Sequence, residues 1–460
     1  MSDLIALFRR QREAMRLLPH YDLCVVDEWH DVNAAEFELI QVMAQHARLV
    51  VVGDRDQIIN SERGADPAFS SNGFDFAFPG ARRLSITKSF RFGSKVSKLA
   101  SAMMKRECLS HEGLSTKLVR QSYDPTLAQD CAAKVVAAVS ATRTQDRIKL
   151  SEVAIVVRDA DQTIEIENLL IDSEIPYRCG GFDSYLVRPE ILMLRGLLHI
   201  ATGNYATLAG DKPTCEKLVR SLGLYASARF DSDDDFASLL SFDEWLPAEL
   251  KNERRWKEAV RIIGNEPSAL ESFFSGVLCR ISSIDSDATA RWKMRFAEVV
   301  TTLQAMAGQH SASQLLAVAA AQLDLVSATS RVFVSRGRAD SARRSIASFI
   351  GFAGVRAGMS AVDFLQELAT RQAKIGKKLN YLKGRAQLDL TTVQHAKGKE
   401  WQNVLIPYLE RGQFPRTADI GEERRLLYVA MTRAMASLTL FEPAAEFGDR
   451  RSVLLPNSPS

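Results

Sequence analysis

Two short Val-rich runs, each ending in acid, constrain this chain more than any other feature: Leu23-Cys24-Val25-Val26-Asp27-Glu28 and Leu49-Val50-Val51-Val52-Gly53-Asp54. Apolar runs of this length, bounded by polar residues, read as buried parallel strands. Open α/β sheets place ligand chemistry just past the carboxyl ends of such strands. There Asp27 would hold Mg²⁺, Glu28 would orient and deprotonate a water, and Gln57 would sense the terminal phosphate of a nucleotide. Two ordinary strands ending in loop acids would look the same locally, because a strand followed by Asp-Glu is a weak motif on its own.

Further segments remove that ambiguity. Asp27-Glu28-Trp29-His30-Asp31 is similar to an Asp-Glu-x-Gln-Asp box, and Gly53-Asp54-Arg55-Asp56-Gln57 with Arg63-Gly64-Ala65-Asp66 to the motif that follows it. Ser89-Phe90-Arg91 stands where the pattern has Asn-Tyr-Arg, and Thr392-x-Gln394-x-x-Lys397-Gly398-x-Glu400-Trp401 resembles Thr-x-His-x-x-Lys-Gly-x-Glu. The most specific string is Glu423-Arg424-Arg425-Leu426-Leu427-Tyr428-Val429-Ala430-Met431-Thr432-Arg433-Ala434. In this order and spacing, over most of the chain, the set resembles the UvrD/Rep-like superfamily 1 DNA helicases. The resemblance implies RecA-like P-loop NTPase motor domains of α/β class, ATP and Mg²⁺ as cofactors, and single-stranded or partly duplex DNA as partner. It assigns Arg433 and Arg91 to the γ-phosphate, Glu400 to a ribose hydroxyl, Lys397 and Gly398 to the nucleotide side, and Arg63 and Thr392 to DNA.

Two departures qualify it. The family's G-x-x-x-x-G-K-[ST] loop precedes the Asp-Glu box, whereas residues 1–26 hold no glycine. The amide cradle and lysine that such a loop presents to the phosphates are therefore expected to be missing. Gly376-Lys377-Lys378, Gly398-Lys399-Glu400 and Gly93-Ser94-Lys95 lack the required neighbours. Asn60 and Glu62 fall where the family has aromatic side chains that stack on bases, an interaction contributing about 1–3 kcal/mol per base. His30 for Gln and Gln394 for His keep polar hydrogen-bonding side chains.

Composition fits a large intracellular protein. The 460 residues are 46% hydrophobic and 25% charged, enough for several cores and more than one domain. No apolar stretch approaches the roughly 18–20 residues that cross a bilayer, and Met1-Ser2-Asp3-Leu4 lacks a basic leader, so a cytoplasmic location without membrane contact is expected. Cysteines at 24, 108, 131, 179, 215 and 279 form no C-x-x-C pair and read as reduced core thiols. A net charge of +3 is too small to decide for or against nucleic acid.

Periodicity predicts helices at 5–19, 34–46 and 162–172, and strands near 83–87, 153–158, 175–178, 388–393 and 403–408. The expected organisation is the C-terminal part of a first motor domain (1–82), a second motor domain (83–200 and 385–445) interrupted by a helical accessory insertion (201–384), and a tail (446–460). Asp231-Ser232-Asp233-Asp234-Asp235 marks a loop in the insertion. An unrelated helical domain fits the insertion's pattern too.

Two basic clusters in the insertion, Arg331, Arg336, Arg338, Arg343 and Arg344, then Arg371, Lys374, Lys377, Lys378, Lys383 and Arg385 around Tyr381, suit phosphate neutralisation as well as a solvated helix face. The expected function is an ATP-dependent 3′-to-5′ DNA helicase polypeptide that lacks its phosphate loop and is inactive alone. A truncated gene product, a split enzyme whose partner chain supplies the loop, and a non-hydrolysing DNA- or protein-binding descendant all fit. The DNA substrate and the oligomeric state stay open.

Overall fold

A computed structural model describes residues 21–59, 64–145, 148–227, 262, 265–270, 297–356, 358–381 and 386–456. The expected helix at 5–19, the acidic run at 231–235, Asn60, Glu62, Arg63, Lys383 and Arg385 lie outside the described residues. Packing divides the chain into two compact units, one of Met1–Thr126, Ser151–Arg158 and Thr391–Ser460, the other of Leu127–Leu150 and Asp159–Leu390.

The first unit is mixed α/β. Its labelled elements are β1 (Leu23–Val26), α1 (Ala34–Met43), β2 (Arg48–Val51), α2 (Ser94–Met104), β3 (Lys117–Tyr123), β4 (Val153–Val157), β5 (Trp401–Ile406), α3 (Ile420–Met431) and β6 (Ala434–Pro443). The strands β3, β6, β5 and β4 lie side by side in that order, all parallel. Leu118, Leu438, Val404 and Ala154 are neighbours across it. Every residue of β4 is buried, which is why Val-Ala-Ile-Val-Val carries no polar alternation. Onto this sheet packs a core of Val96, Leu99, Met103, Trp401, Leu426, Val429 and Met431, so α2 and α3 are held by their apolar faces.

β1 and β2 form a separate parallel pair with Val25 opposite Val50. One face is covered by an aromatic cluster of Trp29, Phe37 and Phe74, with Val26 and Val51 against it. On the other, Leu23, Val25, Val50 and Val52 are 42–61% exposed. α1 begins in a capping box: Asn33 Oδ1 accepts from Glu36 N at 3.0 Å, and Glu36 Oε2 accepts from Asn33 N at 3.0 Å. The strand expected at 83–87 does not form. Only Lys88–Ser89 pairs, with Leu109–Ser110, while Leu84 and Ile86 are 79% and 86% exposed. Alternating apolar residues become a strand only where a neighbouring strand takes their backbone groups.

The second unit is mostly helical. Helices Thr163–Asp172, Pro189–Thr202, Arg336–Gly354 and Ala361–Tyr381 share one core that includes Ile164, Leu194, Phe349 and Phe364. This core takes residues from both sides of position 200, so the boundary expected there does not coincide with a break in packing: helix 189–202 is buried along nearly its whole length. Strand Tyr177–Gly180 lies beside strand Leu388–Thr392, whose last two residues return the chain to the first unit. Among the described residues no single helix is long and apolar enough to cross a membrane.

Candidate functional site

The site grows from the carboxyl end of β1. Trp29 N–H donates to Val52 O at 2.8 Å, and its indole N–H donates to Phe69 O at 2.9 Å, inside rings of Phe37 and Phe74 centred 5.8 and 5.4 Å away. That anchor forces a sharp turn just before it. Glu28 takes a left-handed backbone, φ +51°, a conformation that costs a non-glycine residue roughly 1–2 kcal/mol. The turn leaves the Glu28 carboxylate half exposed, while Asp27 Oδ1 accepts the Glu28 N–H at 2.8 Å.

His30 is buried beneath this turn. Its Nδ1 accepts from Asp54 N at 3.0 Å, and Nε2 lies 3.3 Å from Glu28 Oε2 and 3.9 Å from Asp31 Oδ1. Burial, then the nearby Lys397 ammonium, lower its pKa from the ordinary histidine value, which keeps the ring neutral. Gly53 packs closely here. A Cβ on it would sit 3.1 Å from both His30 N and Nδ1.

Beyond β2 the loop turns in on itself. Asp54 Oδ1 accepts from Asp56 N at 3.0 Å; Oδ2 accepts from Gln57 Nε2 at 3.2 Å and from the Tyr428 hydroxyl at 3.4 Å. Arg106 pairs with both Asp54 and Asp56. Burial raises the Asp56 pKa above the usual carboxylate value despite that pairing. Lys397 Nζ donates to Asp31 Oδ2 at 2.6 Å and to Gln57 O at 3.0 Å, and Arg425 Nε donates to Ile58 O at 2.8 Å, so two distant segments clamp the loop.

α3 brings the last piece. Asp419 caps it by accepting from Glu422 N at 2.9 Å, and buried Glu423 is fixed by Arg158 at 3.0 Å. Just past its end Arg433, 2% exposed, donates to Val429 O at 3.0 Å, Thr432 Oγ1 at 3.1 Å, Lys399 O at 3.3 Å and Gln57 Oε1 at 3.4 Å. Burial, then the neighbouring Arg91 guanidinium, lower its pKa to about 10. Arg91 Nε in turn donates to Glu400 Oε2 at 2.7 Å. Glu28 and Glu400 both act electrostatically on Arg433, so the two arginines, two glutamates and Gln57 form one cluster. Such a cluster can hold a polyanion against guanidinium groups and present a carboxylate to a water beside it.

Comparison of the sequence with known proteins finds two family models. A sequence model of the UvrD/REP helicase N-terminal domain matches residues 1–73, and one of the UvrD-like helicase C-terminal domain matches residues 289–442. The chain belongs to the UvrD/Rep-like superfamily. Similar proteins include the ATP-dependent DNA helicase PcrA of Leuconostoc citreum, 24% identical over 95% of this chain and 55% of its own length. Others are the ATP-dependent DNA helicase Rep of Escherichia coli (strain K12), 24% identical over 90% of this chain and 59% of its own, and DNA helicase II of the same organism, 25% identical over 96% and 59%. The chain thus spans less than two thirds of the length of these relatives.

Within this UvrD/Rep-like chain, not every expected site residue joins the cluster. Thr392 is buried, its hydroxyl 3.2 Å from His395 Nδ1. Gly398 holds φ +76° in the turn before Glu400. Lys397 is taken up by Asp31 and Gln57, as above. Lys374 is exposed on helix Ala361–Tyr381 of the second unit, which also carries Lys377 and Lys378. The basic clusters of that unit are partly consumed by ion pairs: Arg343 meets Asp340 at 2.9 Å, Arg344 meets Asp159 and Asp161, and Arg371 meets Asp172 at 2.7 Å and Glu367 at 2.8 Å. Arg425 meets a backbone carbonyl, that of Ile58. Sequence reasoning missed Arg106 and Arg158, which carry no motif, and treated His30 only as a stand-in for Gln.

Proposed function

We propose that this chain is a UvrD-like, ATP-dependent 3′-to-5′ DNA helicase polypeptide that couples nucleotide hydrolysis to movement on single-stranded DNA. The observation that carries the reading is the meeting of Gln57 and Arg433 beside the Asp27-Glu28 turn. A phosphate-sensing amide, an arginine finger and a water-orienting carboxylate are the parts that phosphoryl transfer needs from this side of a cleft. Asp27 would hold Mg²⁺ with water in the remaining positions, as that ion prefers, and the bound ion would supply charge neutralisation. Glu28 would orient the attacking water, Arg91 and Arg433 would face the γ-phosphate, and Glu400 would exchange its bond to Arg91 for a ribose hydroxyl. Lys397 would hold the Asp31 and Gln57 segments in register.

The 460 residues contain no G-x-x-x-x-G-K-[ST] string. A phosphate loop would have to come from outside them, on the same polypeptide or on a partner chain. That observation supports a second reading, a binding protein that does not hydrolyse ATP. Steady-state ATPase with saturating single-stranded DNA separates the two: the chain alone is expected to turn over far below the roughly 1–10³ s⁻¹ usual for enzymes, and addition of a loop-bearing first half restores DNA-stimulated turnover. Turnover by the chain alone that is abolished in Glu28→Gln would refute the inactivity. Failure of every loop-bearing supplement would favour the binding protein.

A further inference from the structure

We propose that His30 is a positioning residue that sets the Glu28 carboxylate from the Gly53-Asp54 loop, so that the end of β1 and the phosphate-sensing loop after β2 act as one rigid element. The functional side of this proposal rests on the reading of Glu28 as the water-orienting group. Its structural side does not.

Geometry fixes the ring. Because the Asp54 N–H points at Nδ1 at 3.0 Å, Nδ1 carries no proton, and the neutral ring must hold its proton on Nε2. Nε2 is buried and makes no hydrogen bond of full geometry, yet the Glu28 Oε2 atom lies 3.3 Å from it. A buried N–H left unsatisfied costs about 1–3 kcal/mol, so the carboxylate gains by turning toward it. The left-handed Glu28 backbone is what brings the carboxylate back over the ring, and Gly53 is what lets the loop approach the ring closely.

The groups facing His30 fix where the single proton sits: the carboxylates by themselves raise the ring's pKa, and burial with Lys397 outweighs them. Asp54 supplies the backbone donor, Glu28 and Asp31 supply carboxylates on the Nε2 side, and Lys397, held by Asp31, supplies the cation that disfavours a second proton. Asp54 continues the path through Gln57 Nε2 at 3.2 Å, and Gln57 reaches Arg433. His30 therefore joins the Glu28 carboxylate to Arg433 through Asp54 and Gln57. Glutamine, with an acceptor oxygen and donor hydrogens on one flat group, can make the same two contacts; leucine can make neither.

The test uses the full chain labelled with ¹⁵N-histidine, and long-range ¹H–¹⁵N correlation at pH 7, with His30 assigned by its loss in His30→Gln. The expected spectrum is the neutral tautomer protonated at Nε2, and Glu28→Gln shifts the Nε2 resonance more than Nδ1. A tautomer protonated at Nδ1, an imidazolium, or an Nε2 resonance indifferent to Glu28→Gln would overturn the proposal. In any loop-supplemented preparation that hydrolyses ATP, His30→Leu should lower kcat roughly 10–100-fold, the range for loss of an orienting partner, with KM little changed and His30→Gln restoring it. Equal kcat in His30→Leu and wild type would also overturn it. A preparation with no ATPase would count against the proposed function, while the spectrum still decides the role of His30.

Discussion

Replacing Arg433 by methionine is expected to change the stability of the first unit by no more than about 1–2 kcal/mol, whereas replacing Glu423 by methionine should cost about 3–5 kcal/mol. Both side chains are buried charges at opposite ends of the same helix, and the difference lies in their partners. Glu423 is fully buried and receives the Arg158 guanidinium at 3.0 Å together with the Thr417 N–H at 3.2 Å. Removing it takes the carboxylate from a cation that is only 12% exposed. Arg433 has no ion pair of its own among the described residues, and burial lowers its pKa well below the ordinary arginine value, to about 10. At about 1.4 kcal/mol per tenfold change, the site disfavours this cation by roughly 3 kcal/mol. Because the folded value is the lower one, that penalty is fully present below about pH 10 and fades only as pH rises toward the ordinary arginine value. Its four hydrogen bonds, at about 0.5–1.5 kcal/mol each, offset a similar amount. Methionine removes both terms and keeps most of the volume. Urea denaturation followed by the fluorescence of buried Trp29 and Trp401 measures the two variants side by side. A loss above about 3 kcal/mol in Arg433→Met would refute the reasoning, because it would mean that the guanidinium holds the fold rather than waits for an anion.

Further outcomes follow from the same geometry. Trp29→Ala should lose about 3–5 kcal/mol in the same denaturation assay, since it empties the aromatic cluster that forces the Glu28 turn. DNA binding by the chain, read by fluorescence anisotropy, should be weak and fall steeply with salt, and neutralising Lys374, Lys377 and Lys378 together should weaken it; a flat salt profile would contradict phosphate-based binding. In a reconstituted ATPase, Arg91→Ala and Arg433→Ala should each reduce kcat by about 10³-fold or more, and the double variant should lose little beyond either single one, as groups acting as a unit do. Additive losses would argue that the two arginines serve different steps.

The sequence by itself determined the strand ends and the motif strings. Asp27-Glu28 closes an apolar run that reads as a strand without distant information, although Leu23 and Val25 are exposed in the structure, and Glu423 to Ala434 is specific enough to carry a family. Periodicity also located the helix Thr163–Asp172 and strand Val153–Val157 within about a residue. Only tertiary structure decided which charges meet. Gln57 and Arg433 are separated by 376 residues, Arg91 and Glu400 by 309, and nothing local pairs them. It also decided that Arg344 and Arg371 spend their charge on nearby carboxylates, and that residues 83–87, with a strand's alternation, stay unpaired. The physical reason is one of range. Alternation and helical period report a side chain's own preference for water or core, whereas a hydrogen bond between chain-distant groups forms only after packing has fixed both backbones, and the cost of an unpaired buried charge then selects the partner.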